Sequence, residues 1–253
     1  MVQIGNALWR FRNYGVIPTL RYLRHKNLQS SHNLEENLTI LSIDQLELSL
    51  GSGTNLLDFE KSFIDTYLFV SSLFDVPSQG NKKFKTDIIG SQASLTKFKL
   101  LSYILSTQNF NKIVETGTQH GSTSLFIGEV LRNTKKIGSC KIYTIDVQSY
   151  DTPKWNPDIM RIILKKPYRK SFKKITSEYI YDTDTTLFFH DSDHSYENMM
   201  FEFKWAWETL KVKVLIADDV SNNSAFLDFA NSIQRVPFVC KFDSGPSVGL
   251  LFK

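Results

Sequence analysis

The spacing of the apolar residues changes near residue 111. Before that point, apolar side chains recur three or four positions apart from Phe59 to Phe74, which predicts an amphipathic helix over 55–74. The stretch 75–95 is rich in turn-forming and charged residues and predicts a connection to a further helix over 96–108. After residue 111 the apolar residues instead form short continuous runs, which are typical of buried strands.

These short runs predict a sheet. They begin at four points, namely Lys112, Lys141, Thr186 and Val212. Helical stretches such as 196–210 separate them, and two closing runs, Phe238–Phe242 and Val248–Phe252, are joined by a tight turn. Strands that alternate with helices pair in parallel, whereas runs joined by a tight turn pair antiparallel. The predicted fold class is therefore α/β, with a doubly wound, mostly parallel Rossmann-like sheet and a C-terminal antiparallel hairpin.

The composition is that of a globular chain with two parts. The chain has 253 residues, and its hydrophobic fraction of 42% is enough for a substantial core. The motifs all fall in 91–253, which predicts a cofactor-binding domain there and a helical N-terminal extension over 1–90. This extension is a candidate substrate lid, oligomer contact or membrane-surface contact. Only two cysteines are present and no apolar run is long enough to span a membrane, which predicts a cytoplasmic protein.

Charge is unevenly distributed, although the net charge is only +4. Residues 1–34 hold five Lys or Arg and no Asp or Glu. This segment is expected to pack on the domain, to contact a second copy of the chain, or to make a weak contact with an anionic membrane surface. A second basic stretch, 152–175, is expected to be a solvated face or an anion-binding surface. No nucleic-acid partner is expected, because no recognisable nucleic-acid-binding module is present.

The first candidate site follows the strand at Lys112. There a loop with Gly117 and Gly121 leads into a helix, and glycines at that place allow a ligand to approach the backbone. The loop is neither a Walker loop nor a complete dinucleotide fingerprint, since Gln119 stands where a second glycine is usual. Asp146, at the end of the next strand, is placed to accept hydrogen bonds from a ribose. Together these features favour an adenosine-containing ligand over a plain tight turn.

The second candidate site is a group of acids at two further strand ends. Asp191 and His194 follow one strand, and Asp218 and Asp219 follow the next. Carboxylates this close together need a positive charge nearby, and a hard divalent cation such as Mg²⁺ is the simplest one. The competing interpretation is that these acids cap helices or are solvated. His194 is a candidate general base or a packed helix-start histidine, and Glu115 either holds a ligand amine or braces its loop.

The motifs resemble those of a known family. VETGTQHGSTS, IDVQ, FFHDSDHSYENMMFEFKWAW and LIADDVSNNSAF are similar to the corresponding segments of class I S-adenosylmethionine-dependent methyltransferases. Within that class the resemblance is to the bacterial metal-dependent group of cephalosporin-biosynthesis and sugar O-methyltransferases. The resemblance covers about 111–253, and residues 1–90 carry none of its motifs.

The resemblance implies roles for individual residues. The predicted cofactor-binding residues are Glu115, Gly117, Thr118, Gly121, Ser122 and Asp146. The metal ligands would be Asp191, Asp218 and Asp219. The catalytic residues would be His194, as the base, and Asp191. The implied function is an S-adenosylmethionine-dependent O-methyltransferase that is assisted by Mg²⁺ and methylates a hydroxyl of a saccharide or related small metabolite. Two alternatives stay open at this point: a nicotinamide-dependent oxidoreductase, and a non-catalytic cofactor-binding scaffold.

Overall fold

The computed structural model describes residues 40–74, 93–149, 158–180, 186–242 and 247–253. The basic segment 1–34, most of the connection 75–95, part of the basic stretch 152–175 and the turn at 243–246 lie outside these ranges. The predicted boundary between the N-terminal extension and the domain also falls outside them, so this division stays a prediction.

Short strands and helices alternate along the described chain. The strands are β1 (Ile40–Leu41), β2 (Lys112–Thr116), β3 (Lys141–Asp146), β4 (Ile159–Ile163), β5 (Thr186–His190), β6 (Val214–Ala217), β7 (Phe238–Cys240) and β8 (Val248–Phe252). The α-helices are α1 (Ile43–Leu50), α2 (Leu56–Phe74), α3 (Ala93–Thr107), α4 (Ser122–Asn133), α5 (Tyr168–Tyr179), α6 (Tyr196–Lys204) and α7 (Ala225–Ser232). A π-helical turn, Trp205–Thr209, continues α6, and a 3₁₀ turn, Val220–Asn222, follows β6.

The eight strands form one sheet in the order β1-β7-β8-β6-β5-β2-β3-β4. β8 pairs antiparallel with β6 and β7, and the other pairs are parallel. This confirms the predicted α/β fold class with its antiparallel portion at the C-terminus. Two strands were not predicted: β1, which has only two residues, and β4, which lies inside the basic stretch 152–175.

Each face of the sheet carries its own apolar core, because successive side chains on a strand point to opposite faces. Ile113 packs with the cluster that contains α1 to α4, while its neighbour Val114 packs with the cluster that contains α5 to α7. Residues of α1 and α2, including Leu46 and Phe63, belong to the first of these clusters. Among the described helices, we find none with the length and apolar character needed to cross a bilayer.

Candidate active site

The candidate residues meet at one edge of the sheet because the register of three parallel strands is fixed there. Thr116, His190 and Ala217, which end β2, β5 and β6, lie side by side. Backbone hydrogen bonds continue past the strand ends: the Asp191 N–H donates to the Thr116 carbonyl at 2.9 Å, and the Asp218 N–H donates to the His190 carbonyl at 2.9 Å. The chain winds to β3 on one side of β2, while β5 lies on the other, and ligands in open α/β sheets bind at such a switch point.

Gly117 lies where the loop after β2 comes into close contact with the loop after β5. Its φ is +89°, and a Cβ at this position would lie 2.0 Å from the Asp191 carbonyl oxygen, so that no larger residue fits without a shift of that backbone. Gly121 has a φ of +83° and directly precedes α4. Ser122 begins α4, whose first turn leaves backbone N–H groups without partners inside the helix. The conformation of the loop therefore depends on its two glycines, and the predicted approach of a ligand to its backbone stays a prediction.

Asp146 ends β3 and is held by backbone N–H groups. Its Oδ1 accepts from Val147 at 2.6 Å and Gln148 at 3.0 Å, and its Oδ2 accepts from Gln119 at 2.8 Å. An ionised carboxylate has about four lone-pair positions. These contacts orient Asp146 towards the glycine loop and leave Oδ2 with capacity for a ligand hydroxyl.

Glu115 is fully buried behind the glycine loop. Its Oε2 accepts hydrogen bonds from Ser124 of α4 and, at 2.5 Å, from Thr144 of β3, while Thr118 and Thr144 share a hydroxyl contact of 2.6 Å. Burial raises the pKa of Glu115 to about 7, although both hydroxyl donors oppose this change. Of the two roles that the sequence left open, these contacts are those of a brace for the loop. Contact with the cofactor stays a prediction.

Asp191 and Asp218 are joined by a residue that the sequence analysis missed, Lys97 of α3. The Lys97 Nζ lies 2.7 Å from Asp191 Oδ2 and 3.1 Å from Asp218 Oδ2. Burial alone would lower the pKa of Lys97, but the two carboxylates outweigh it and raise the pKa. Burial raises the pKa of Asp191 to about 7, with Lys97 opposing the change and Asp218 adding to it. The acidic pair therefore has an internal counter-ion.

His194 lies between the two acids that flank it. Its Nε2 is 3.8 Å from Asp191 Oδ1, and its Nδ1 is 3.8 Å from Asp219 Oδ2. Asp191, His194 and Asp218 each offer one atom, all within 4.8 Å of one another, as a metal site requires. Asp219 is not part of that group, and its role as a ligand stays a prediction. Burial raises the pKa of Asp219, while His194 opposes the change.

Asp218 and His194 each have a buried atom without a hydrogen-bond partner among the described residues. These atoms are Asp218 Oδ1 and His194 Nε2. Asp218 is only 3% exposed, so water does not compensate its carboxylate oxygen in the way that it would at the surface. The cluster therefore has one oxygen and one imidazole nitrogen free to contact a ligand.

A buried polar network from α6 supports the β5 loop. Glu202 accepts from Thr116 at 2.7 Å and from Ser192 at 2.9 Å, and its Oε2 lies 2.8 Å from His190 Nδ1. Burial would raise the pKa of Glu202, but His190 and the hydroxyl donors outweigh it and lower the pKa. On the other side, Asn223 donates to the His194 carbonyl at 2.8 Å. The sequence analysis did not identify Glu202, because an acid within a helix carries no local signal of burial.

The chain has similarities to known proteins in both sequence and fold. Residues 114–220 match the model of a family described as a methyltransferase domain. A search of curated proteins finds no match.

Among solved structures, the SAH-bound methyltransferase of Podospora anserina is 12% identical, and the match covers 85% of this chain and 99% of that one, with a TM-score of 0.43. The O-methyltransferase from Bacillus cereus in complex with SAH is 14% identical, with 76% and 91% coverage and a TM-score of 0.45. The TDP-rhamnose 3′-O-methyltransferase of calicheamicin biosynthesis is 10% identical, with 75% and 93% coverage and a TM-score of 0.46.

The matched segment contains the glycine loop, Asp146 and the acidic cluster, whereas Lys97 precedes it. This agrees with the resemblance that the motifs predicted and with the enzyme class that they implied. Residues 114–220, which hold these motifs, are thus similar to a methyltransferase domain.

Proposed function

We propose that this chain is an S-adenosylmethionine-dependent O-methyltransferase that acts on a hydroxyl of a saccharide or related small metabolite, assisted by Mg²⁺ or another hard divalent cation. One observation carries the proposal. The glycine loop and the acidic cluster lie in direct contact, since Gly117 leaves no room for even a Cβ beside the Asp191 backbone. A methyl donor on the loop and an acceptor at the cluster would therefore be neighbours, which is what group transfer requires.

The cofactor side of the proposed site is built from the β2 loop and the end of β3. The open lone pair of Asp146 Oδ2 would accept from a ribose hydroxyl, while Gly117 and Gly121 let the backbone approach the ligand. Ser122 and Thr118 stand at the start of α4 and in the loop before it. When bound, the cofactor supplies a methyl group on a positively charged sulfur.

The metal side is built from the acids. Asp218 Oδ1 is a buried oxygen that lacks a partner among the described residues, and Asp191 lies next to it. Mg²⁺ prefers oxygen ligands, which favours these carboxylates over the His194 nitrogen. Such an ion, when bound, lowers the pKa of a coordinated hydroxyl.

His194 is the proposed base. Its Nε2 would take the proton of the acceptor hydroxyl, and the hydroxyl oxygen would form a bond to the methyl carbon as the bond from that carbon to sulfur breaks. The products are a methyl ether, S-adenosylhomocysteine and a proton on His194. Asp219 Oδ2, 3.8 Å from His194 Nδ1, would stabilise the resulting imidazolium.

Four further features belong to the proposal. The acceptor is a small molecule, and the division into an N-terminal extension over 1–90 and a domain over 91–253 is retained. The basic segment 1–34 is retained as a segment that packs on the domain or contacts a second copy or a membrane surface. A cytoplasmic location is supported by Cys140 and Cys240, which are both buried and unpaired.

The proposal is tested by calorimetric titration of S-adenosylhomocysteine into the full chain, with and without Mg²⁺. We expect binding in both conditions. Asp146→Asn should weaken it by about 10- to 100-fold, because a hydrogen bond to a charged group contributes about 1.5–3 kcal/mol. Asp218→Asn should leave S-adenosylhomocysteine affinity within about threefold of wild type while methyl transfer is lost.

Two outcomes would contradict the proposal. Absence of S-adenosylhomocysteine binding by the wild-type chain in both conditions would return the nicotinamide and scaffold interpretations. Equal losses of affinity in the two variants would show that the glycine loop and the acidic cluster do not divide cofactor and acceptor between them.

A further inference from the structure

Lys97 carries its ammonium group at a largely buried position, where a charge needs a partner of opposite sign. It lies on the buried side of α3, three and four residues before Leu100 and Leu101, which are both fully buried. Only 14% of its side chain is exposed. An uncompensated charge at such a depth would strongly favour the neutral amine, so the surrounding acids must hold it.

The contacts of Lys97 are with the same two carboxylates that would hold a metal. Its Nζ is within hydrogen-bond distance of one oxygen of Asp191 and one oxygen of Asp218. The ammonium thus bridges the pair in the manner of a bound cation. It leaves the second oxygen of Asp218 buried and without a partner among the described residues.

A divalent cation at this place would share its ligands with the ammonium group. Mg²⁺ binds carboxylate oxygens at 2.0–2.1 Å, so an ion on Asp191 and Asp218 would lie close to a Lys97 Nζ that stayed on the same carboxylates. Two positive charges at that separation repel each other, most strongly in a buried site where water screens little. Either the ammonium withdraws when the ion enters, or the ion binds weakly.

We propose that Lys97 is a tethered counter-ion that competes with a divalent cation for the Asp191–Asp218 pair and thereby sets the affinity of the acceptor site for metal. The inference rests on the proposed function, since it assigns the acidic pair to the acceptor side. It goes further in making a residue outside the matched methyltransferase segment the determinant of the metal requirement.

The test is a titration of Mn²⁺ into the full chain in the absence of cofactor and acceptor, followed by electron paramagnetic resonance of the free ion. Lys97→Met removes the charge and keeps a long side chain, and we expect it to bind Mn²⁺ at least tenfold more tightly than wild type. Lys97→Arg keeps the charge and should bind no more tightly than wild type. Lys99→Met is the matched control on the same helix, because Lys99 pairs with Glu60 instead, and it should not change the affinity.

Location and folding are controlled by two further measurements. Asp218→Asn in the Lys97→Met background should abolish the gain in Mn²⁺ affinity, which places the ion on this pair. If Lys97→Met is unfolded in chelator, recovery of its thermal transition by Mn²⁺ supports the inference, whereas recovery by high ionic strength alone overturns it.

The inference is overturned if Lys97→Met binds Mn²⁺ no more tightly than wild type, or if Lys99→Met gains as much. Calorimetry of S-adenosylhomocysteine on the same preparations separates this failure from that of the proposed function. Unchanged Mn²⁺ affinity with intact S-adenosylhomocysteine binding rejects the role of Lys97 alone. Absence of S-adenosylhomocysteine binding rejects the proposed function, whatever the Mn²⁺ titration gives.

Discussion

Replacement of Gly117 by alanine tests whether the two loops of the site are in contact as the structure has them. The matched control is Gly138→Ala. Both glycines have positive φ, +89° and +83°, but a Cβ at position 138 would meet nothing within 4 Å. At position 117 it would lie 2.0 Å from the carbonyl oxygen and 2.5 Å from the carbonyl carbon of Asp191. The two substitutions therefore share a backbone penalty and differ in the contact.

The size of each effect follows from that difference. A residue with a Cβ pays about 1–2 kcal/mol in the left-handed conformation. The loss of glycine's freedom in the unfolded chain returns about 0.4–1 kcal/mol, so Gly138→Ala should cost between about 0 and 1.6 kcal/mol. At Gly117 the Asp191 carbonyl must also retreat by more than an ångström, against the hydrogen bond from its own N–H to Thr116. Overpacking of this kind costs about 1–3 kcal/mol, and the sum with the backbone penalty is about 1–5 kcal/mol.

Urea unfolding of the three proteins measures these free energies. We expect the midpoint of Gly117→Ala to fall well below that of Gly138→Ala, with unchanged slopes. Calorimetry with S-adenosylhomocysteine should show weaker binding for Gly117→Ala alone, because the displaced segment borders the cofactor side of the site. Equal unfolding free energies for the two variants would show that the β2 loop and the β5 loop are not in contact. The argument that cofactor and acceptor share one site would then fail as well.

Two further predictions concern buried acids. Burial raises the pKa of Glu115 from 4.5 to about 7, so its contribution to stability is complete below pH about 4.5 and is lost as the pH rises to about 7. Urea unfolding should show the unfolding free energy of wild type falling relative to that of Glu115→Gln by on the order of 3 kcal/mol across that range. A constant difference between the two proteins would refute the burial of an ionisable group there. Glu202→Ala leaves Thr116, His190 and Ser192 without their acceptor and should lower the free energy of unfolding by about 3–5 kcal/mol. A loss below about 1 kcal/mol in urea unfolding would show that this network is not formed.

The sequence predicts the site more readily than its surroundings because the strands end where their apolar runs end. Asp191 and Asp218 each follow the last buried residue of a strand, and a single helical stretch lies between the two strands. Neighbouring parallel strands then bring the acids to one edge. Nothing in that inference requires knowledge of side-chain contacts, so it succeeds from the pattern alone.

Lys97 was missed because only the apolar positions of the helix over 96–108 were used to predict its buried face. It stands on the same helical stripe as Leu100, Leu101 and Ile104, at the spacing of a buried face. A basic residue in such a stripe either snorkels to solvent or has an acidic partner. That signal was available, but the identity of the partners was not, since Asp191 lies 94 positions away in the sequence.

The strand Ile159–Ile163 shows a different limit. It forms the edge of the sheet beside β3, and four of its five residues are at least partly exposed. A polar residue is tolerated at such a position, and Arg161 interrupts the apolar run. Edge strands need less apolar surface than central ones and leave a weaker pattern. The two-residue strand Ile40–Leu41 is too short to leave any, and the π-helical turn at Trp205–Thr209 has the same apolar spacing as the helix before it.

Metal dependence in this site cannot follow from the acids alone. Asp191, Asp218 and Asp219, when ionised, place three negative charges near one another, and Lys97 supplies one positive charge. The remaining two charges are what a divalent cation would balance, yet the ammonium holds one oxygen from each of Asp191 and Asp218. The same acids would therefore bind an ion tightly or weakly according to the residue at position 97. Because that residue lies outside the matched domain, two chains with identical motifs over 114–220 could differ in their metal requirement.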